Sequence, residues 1–163
     1  MCLPYFERFD NISEDDPLIG YRNWRLPISN PITLISENQK YDWIKVIEGP
    51  HEVKDSNSGI YAYNNYYNND YNYYNYNYSY NYNYYYNCYN IAGIIKQWGK
   101  VAIHKIGQRS EYAKIDTLFT IRESDAKGPK KFLDWIKNFN PVIEKLAKKY
   151  ECKTISRQDF NEK

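Results

Sequence analysis

His104, Arg109 and Glu111 bring an imidazole, a guanidinium and a carboxylate within eight residues, on either side of Gly107. A hairpin turning near that glycine puts Arg109 and Glu111 on one face of the return strand, because side chains two apart in a strand share a face, and His104 lies across from them. Such a set has two uses. In acid–base chemistry, Glu111 would orient or charge His104 while Arg109 held an anion. As a polar network, the three would fix strand register and satisfy partly buried groups. The network is favoured: no Ser, Cys or Asp nucleophile accompanies the set at a recognisable spacing, and the chain has no Walker A, G-x-G-x-x-G or H-E-x-x-H pattern.

A second group, Tyr21, Arg22, Trp24 and Arg25, would form an aromatic and basic rim for a ligand. The competing role for Trp24 is core packing, because Trp24, Trp43, Trp98 and Trp135 all sit in apolar-alternating or helical contexts.

These residues must be positioned by strands first and helices last. Gly20–Leu26 alternates, with Arg22, Trp24 and Leu26 on one side, and predicts a strand. Ile32–Ile35 and Tyr41–Ile47 are further short strands, ended by Gly49, Pro50 and His51. Gly59–Tyr63 is another. Ile91–Lys105 is the longest β signal, with Gly99 interrupting two alternating runs in the manner of a bulge. Arg109–Leu118 returns. The period then changes. Gly128-Pro129 opens a helix carrying Phe132, Leu133, Ile136 and Phe139, and Asn140-Pro141 caps a second one carrying Val142, Ile143, Leu146, Ala147 and Tyr150. Cys152–Ile155 supplies a last strand. This order predicts an α+β domain with a curved antiparallel sheet or partial barrel covered by two C-terminal helices. One domain is expected over residues 1–163, with its core at about 18–157.

Between two of those strands lies the stretch 64–90, in which thirteen of 27 residues are Tyr and eleven are Asn. From Tyr74 to Tyr84 every even position is Tyr, so an extended chain would carry one wholly phenolic face. The stretch has no branched aliphatic residue, no charge except Asp70 and no helical apolar stripe, so it reads as a disordered or loosely β-prone loop insertion. Growing a loop from about 6 to about 27 residues costs only about 1.3 kcal/mol of closure entropy, which a folded domain survives. Its functional alternatives are self-association through 64–90 and base stacking on single-stranded nucleic acid. Stacking is the weaker of these, because no Lys or Arg is interleaved to meet phosphate.

Composition bounds the rest. The net charge of +2 hides a gradient, from −4 over residues 1–60 to +7 over residues 91–163, which is a reason to consider nucleic acid or an acidic partner. Solvated lysines on amphipathic helices account for the same charge. Cys2, Cys88 and Cys152 are far apart and without CxxC spacing, as free thiols in a reducing compartment would be. Glu7, Arg8 and Asp10 interrupt the apolar run a signal peptide needs, and no stretch approaches a membrane span. An intracellular, cytoplasmic protein with no membrane partner is expected.

The stretch Gly93, Trp98-Gly99-Lys100-Val101, His104, Gly107, Arg109, Glu111 and Ala113 resembles the pattern G-x-[VI]-x-x-W-G-x-V-x-x-H-x-x-G-x-R-x-E-x-A of a family of uncharacterised prokaryotic and viral proteins. Gly59-Ile60-Tyr61-Ala62 is similar to the end of that family's C-x-C-G-I-Y-A, and Gly20–Leu26 to its G-[YFW]-[RK]-x-W opening. Residues 146–155 resemble its closing L-A-x-x-Y-G-V-P-V. The resemblance spans most of residues 20–155 outside the Tyr/Asn tract and implies a shared fold; no activity travels with it. In place of C-x-C this chain has Ser56-Asn57-Ser58, so of any metal site built there only His51 would remain, and a hydroxyl replaces a zinc thiolate poorly. No metal and no cofactor are expected.

The function these residues point to is a non-catalytic binding or accessory protein, with viruses among the sources the resemblance admits and the virion as its location in that case. One alternative is a nucleic-acid-binding module using the basic C-terminal helices. The other is a small enzyme acting on an anionic ligand, with His104, Arg109 and Glu111 as its catalytic candidates. Tyr21, Arg22, Trp24, Arg25, His104 and Arg109 are the binding candidates.

Overall fold

Alternation of apolar side chains on both sides of Gly99 and Gly107 produces the two longest strands of the structure, a computed structural model that describes residues 8–27, 47–54, 58–64, 82–83, 88–122 and 130–161. The strands are β1 (Arg8–Ile12), β2 (Leu18–Pro27), β3 (Ile47–Glu48), β4 (Ile60–Tyr63), β5 (Tyr82–Asn83), β6 (Cys88–Ile103), β7 (Gly107–Thr120) and β8 (Lys153–Ser156). The helices are α1 (Lys130–Tyr150) and α2 (Arg157–Asn161). Strand order is β1-β6-β2-β4-β7-β3, and β6 also pairs with β7, so the pairings from β6 through β2, β4 and β7 return to β6. That closed circuit is the partial-barrel α+β arrangement expected. The sheet is mixed rather than wholly antiparallel: β8 joins β7 in parallel, from Thr117↔Lys153 to Thr120↔Ser156. A helix between β7 and β8 brings the chain back to the same end of the sheet, as a parallel pair requires.

The chain divides into two compact units, one of Met1–Arg22, Lys45–Asn75 and Ile94–Asp116, the other of Asn23–Ile44, Tyr76–Gly93 and Thr117–Lys163. In the first, β4 lies antiparallel to β7 from Ile60↔Ser110 to Tyr63↔Gly107, and β1 lies antiparallel to β6 from Arg8↔Ile103 to Ile12↔Gly99. Its interior includes Val53, Ile60, Ala62, Ile95, Val101 and Ile115. At Gly20 a Cβ would collide with Ala62 Cβ and Gln97 Oε1, so glycine is needed for the backbones to approach.

In the second unit Trp24 is wholly buried and its ring edge lies against Gly93, where β6 runs so close to the Thr117 carbonyl that no side chain fits. Both helices pack on β8. Phe139, Ile143, Leu146, Ala147 and Tyr150 form the buried stripe of α1. Here the structure corrects the sequence reading, because α1 runs unbroken through Pro141 instead of ending at Asn140. Asn140 is no cap. Its side chain accepts a hydrogen bond from Ile121 N at 3.0 Å and donates one to Ile121 O at 2.6 Å, completing the backbone bonding just past β7. Proline's φ suits a helix; what it removes is one backbone donor, and the apolar stripe on both sides of residue 141 outweighs that loss.

The frame also reclaims both ends of the Tyr/Asn stretch. Asn64 donates from N to Ile106 O and from Nδ2 to Lys105 O, while Tyr82 pairs with Tyr89 and Asn83 with Cys88. Of the expected insertion, residues 65–81 and 84–87 lie outside the described residues. So do the expected strand Ile32–Ile35, residues 41–46 of the next one, and the Gly128-Pro129 helix start. β1, by contrast, falls before the expected core boundary at residue 18 and belongs to the sheet.

Two outcomes follow. Replacing residues 65–81 with a short Gly/Asn turn should leave a cooperatively unfolding protein, as stable as the parent or about 1 kcal/mol more so; near-UV circular dichroism and urea unfolding check this. The C-terminus of α1 closes with Cys152 N on Ala147 O and Glu151 N on Lys148 O, a Schellman arrangement in which Glu151 is left-handed at φ 54. Glu151 stands where the resembled pattern has Gly, so Glu151→Gly should raise stability by about 0.5–1 kcal/mol in urea unfolding.

Candidate functional site

His104 and Arg109 are placed by the tight turn between β6 and β7. His104 N donates to Gly107 O at 2.8 Å, and a Cβ on Gly107 would strike Ala62 O and the Tyr61 hydroxyl, so only glycine lets β7 start against β4 there. Across the turn, Arg109 Nε donates to His104 Nε2 at 3.2 Å. An arginine has only donors, so Nε2 presents its lone pair, and the ring is neutral in this contact with its proton on Nδ1. Both residues are buried, His104 to 4% and Arg109 to 2% residual exposure.

The guanidinium also reaches the loop before β4. Arg109 Nη1 donates to Ser58 O and, at 3.3 Å, to Ser58 Oγ, and that hydroxyl accepts from Lys54 N at 2.7 Å. Gly59, at φ 96, lets the loop pass between Val53 and Ser110 O. The result is a clasp: one buried charge ties the β6–β7 hairpin to Ser58 and, through its hydroxyl, to Lys54. What it can do chemically is limited, because the Nε2 lone pair that would serve as a base is engaged by Arg109.

Glu111 does not join them. Its Oε2 accepts from Lys100 N at 3.1 Å, beside Gly99, whose φ of 82 breaks the regular strand. Gly99 thus departs from strand geometry where the sequence suggested a bulge, while its pairing with β1 stays one-to-one, and Glu111 satisfies a backbone donor next to it. Trp98 stacks on Tyr112 with centroids 5.8 Å apart and planes at 10°. The i, i+2 rule predicted that Glu111 would converge with Arg109; its carboxylate instead turns to Lys100 N, beside Gly99.

Of the N-terminal candidates, Tyr21 is half-buried and pairs across from Tyr63, and Arg22 Nη1 donates to Tyr61 O. Trp24 is wholly buried. The Arg25 side chain lies outside the described residues. Burial, with the Tyr63 phenol adding, pushes the Tyr61 phenol above its ordinary range.

Sequence reasoning did not foresee two features. Gln97 and Ser110 are wholly buried, Gln97 Nε2 donating to Ile60 O at 2.8 Å and to Ser110 Oγ at 3.0 Å. An open groove of about 420 Å³ is lined by Pro50, His51, Glu52, Val53, Lys54, Lys100 and Glu111. Its only sequence signal is the Gly49-Pro50-His51 punctuation. His51 N donates to Glu111 O at 2.8 Å, which anchors the groove wall on β7. Among the described residues, no group of three His, Cys, Asp or Glu is arranged to hold a metal ion. No described helix is long and apolar enough to cross a membrane. No family model, curated protein or solved structure matches the chain.

The clasp predicts which substitutions interact. Arg109→Ala should cost about 3 kcal/mol, since it strands buried acceptors. In a double-mutant cycle it should couple to His104→Ala by about 0.5–3 kcal/mol but add almost independently to Glu111→Ala. Urea unfolding of the single and double variants measures both terms.

Proposed function

We propose that this chain is a non-catalytic binding or accessory protein that works through a surface of its α+β fold, with the Pro50–Lys54, Lys100 and Glu111 groove as the contact region. The observation that carries this reading is the sealing of His104 and Arg109, at 4% and 2% exposure, with the imidazole acceptor engaged by the guanidinium. A catalytic base needs hydrogen-bond reach to a reacting atom. A buried pair bonded to itself and to Ser58 serves structure first. The groove, by contrast, presents carboxylates, lysines and an imidazole beside Pro50 and Val53, a mixed lining suited to a polar partner. The resemblance of residues 93–113 to a prokaryotic and viral family supports a shared fold and admits a viral source among others.

Nucleic-acid binding is the second reading, and its specific support is the exposure of Lys137, Lys145 and Lys148 on α1. Against it, Glu144 is exposed among them, and Trp24 and Trp98 are buried, so neither ring is available to stack on a base. Fluorescence anisotropy with labelled single- and double-stranded DNA and RNA, from about 50 to about 200 mM salt, separates the two readings. The binding-protein reading expects no saturable binding at the lowest salt. A steep loss of affinity with salt, relieved by Lys→Gln changes at 137, 145 and 148, would replace it with the nucleic-acid reading.

A further inference from the structure

β1 ends the strand order on its side of the sheet, and among the described residues it pairs with β6 alone. In a strand paired on one side, alternate residues direct N–H and C=O away from the partner, which leaves a template for another strand. Devices that commonly blunt such an edge, a proline, a lysine or a bulge, are missing from Arg8-Phe9-Asp10-Asn11-Ile12. The strand instead carries one charge of each sign, placed symmetrically about an aromatic ring. Arg8 Nε and Asp10 Oδ2 lie 3.1 Å apart on one face, with side chains 72% and 41% exposed. Phe9 points to the other face, is 44% exposed, and has Lys100 Nζ 5.1 Å from its ring centroid.

This arrangement is complementary to itself. An antiparallel two-fold centred on Phe9 sets Phe9 against Phe9 of a second copy, Arg8 against its Asp10 and Asp10 against its Arg8. Directly opposed residues of an antiparallel pair share a face, so the two rings meet on one side and two opposite-charge pairs form on the other. Moving the two-fold to Asp10 would instead oppose two carboxylates, which is unfavourable. Charge therefore favours the Phe9-centred register over the Asp10-centred one, and only the former forms two opposite-charge pairs within β1.

We propose that β1 is a self-pairing edge through which two copies of this chain associate, in the register that opposes Phe9 to Phe9 and Arg8 to Asp10. The occupant is a second copy of the chain, and the contact is isologous, as a two-fold demands. It stands apart from the binding-protein reading, since none of Arg8, Phe9 and Asp10 lines the groove or joins the clasp. A short edge buries little area, so the association is weak and depends on concentration.

Sedimentation equilibrium of the full chain, up to about 1 mM, reads the self-association. The parent should show a monomer–dimer equilibrium in that range. Arg8→Asp and Asp10→Arg should each weaken it at least about tenfold, because either change opposes like charges twice across the two-fold. Mixed one to one, the two variants should recover parent-like association, since an acidic strand then meets a basic one. The double variant carrying both changes should recover it alone. Both side chains are exposed, so thermal unfolding of each variant should match the parent. Should a reversal fail to fold, Phe9→Ala provides the second probe and should weaken association in the same direction. A parent that stays monomeric to about 1 mM overturns the proposal. So does association that survives the single reversals, which would place it on another surface such as the Tyr/Asn stretch, or a mixture no tighter than its parts.

Discussion

A permanent positive charge sits inside the first unit, and much of the local structure is arranged to accommodate it. An arginine cannot shed its proton to escape burial, so its five donors must find acceptors. Arg109 finds them on His104 and Ser58, two residues from opposite sides of β7 that share no other sequence relation. The consequence is directional. Because His104 accepts at Nε2, the hairpin must bring the His104 backbone close to Arg109 across the turn, which the His104 N to Gly107 O bond does. Because Ser58 accepts through its carbonyl, the loop before β4 must bring its backbone to β7, which the left-handed Gly59 permits. Hairpin, loop and buried charge therefore form one unit, and none of the three is satisfied alone.

The same strand pair shows how two charges at alternate positions take separate roles. Arg109 turns inward; Glu111, two residues later, meets the place where Gly99 departs from strand geometry. A backbone donor needs a partner, and the Glu111 carboxylate supplies an acceptor to Lys100 N. At Gly99 a Cβ would come within 3.0 Å of Glu111 Cβ and 2.9 Å of the Tyr112 ring, so Gly99, the carboxylate and the Trp98–Tyr112 stack occupy one tightly fitted patch.

How much of this was legible in the sequence depended on whether local pattern or remote partner decided the outcome. The β6–β7 hairpin, the departure from strand geometry at Gly99 and the apolar spacing of Phe139 to Tyr150 follow from period and glycine position, and the structure has all three. The separation of Glu111 from Arg109 was hidden, because alternation says which face a side chain leaves from and not which backbone donor it then meets. Asn140 reads as a cap by local rule; its side chain instead bonds Ile121, nineteen residues away, and no local signal announces that partner. β1 was invisible for a related reason. Its residues do not alternate in hydrophobicity and none is fully buried, as suits a strand whose stability comes from pairing with the β6 backbone rather than from a buried face.

The buried amides explain why the register tolerates so little drift. Gln97 reaches the Ile60 carbonyl and Ser110 Oγ, while Gln108 Nε2 donates to Ile19 O at 2.9 Å, so side chains on β6 and β7 bond the backbones of β2 and β4. In an all-apolar interior, a strand slipped by two residues would keep the same face inward and lose only packing. Here the same slip would also strand two buried amides and a guanidinium away from their acceptors, each at the cost of an unsatisfied polar group. The polar interior therefore acts on specificity more than on total stability: it separates the native pairing from its nearest alternatives. Such separation suits a chain whose sequence also carries, directly after β4, a long stretch of alternating tyrosine and asparagine that offers competing strand pattern.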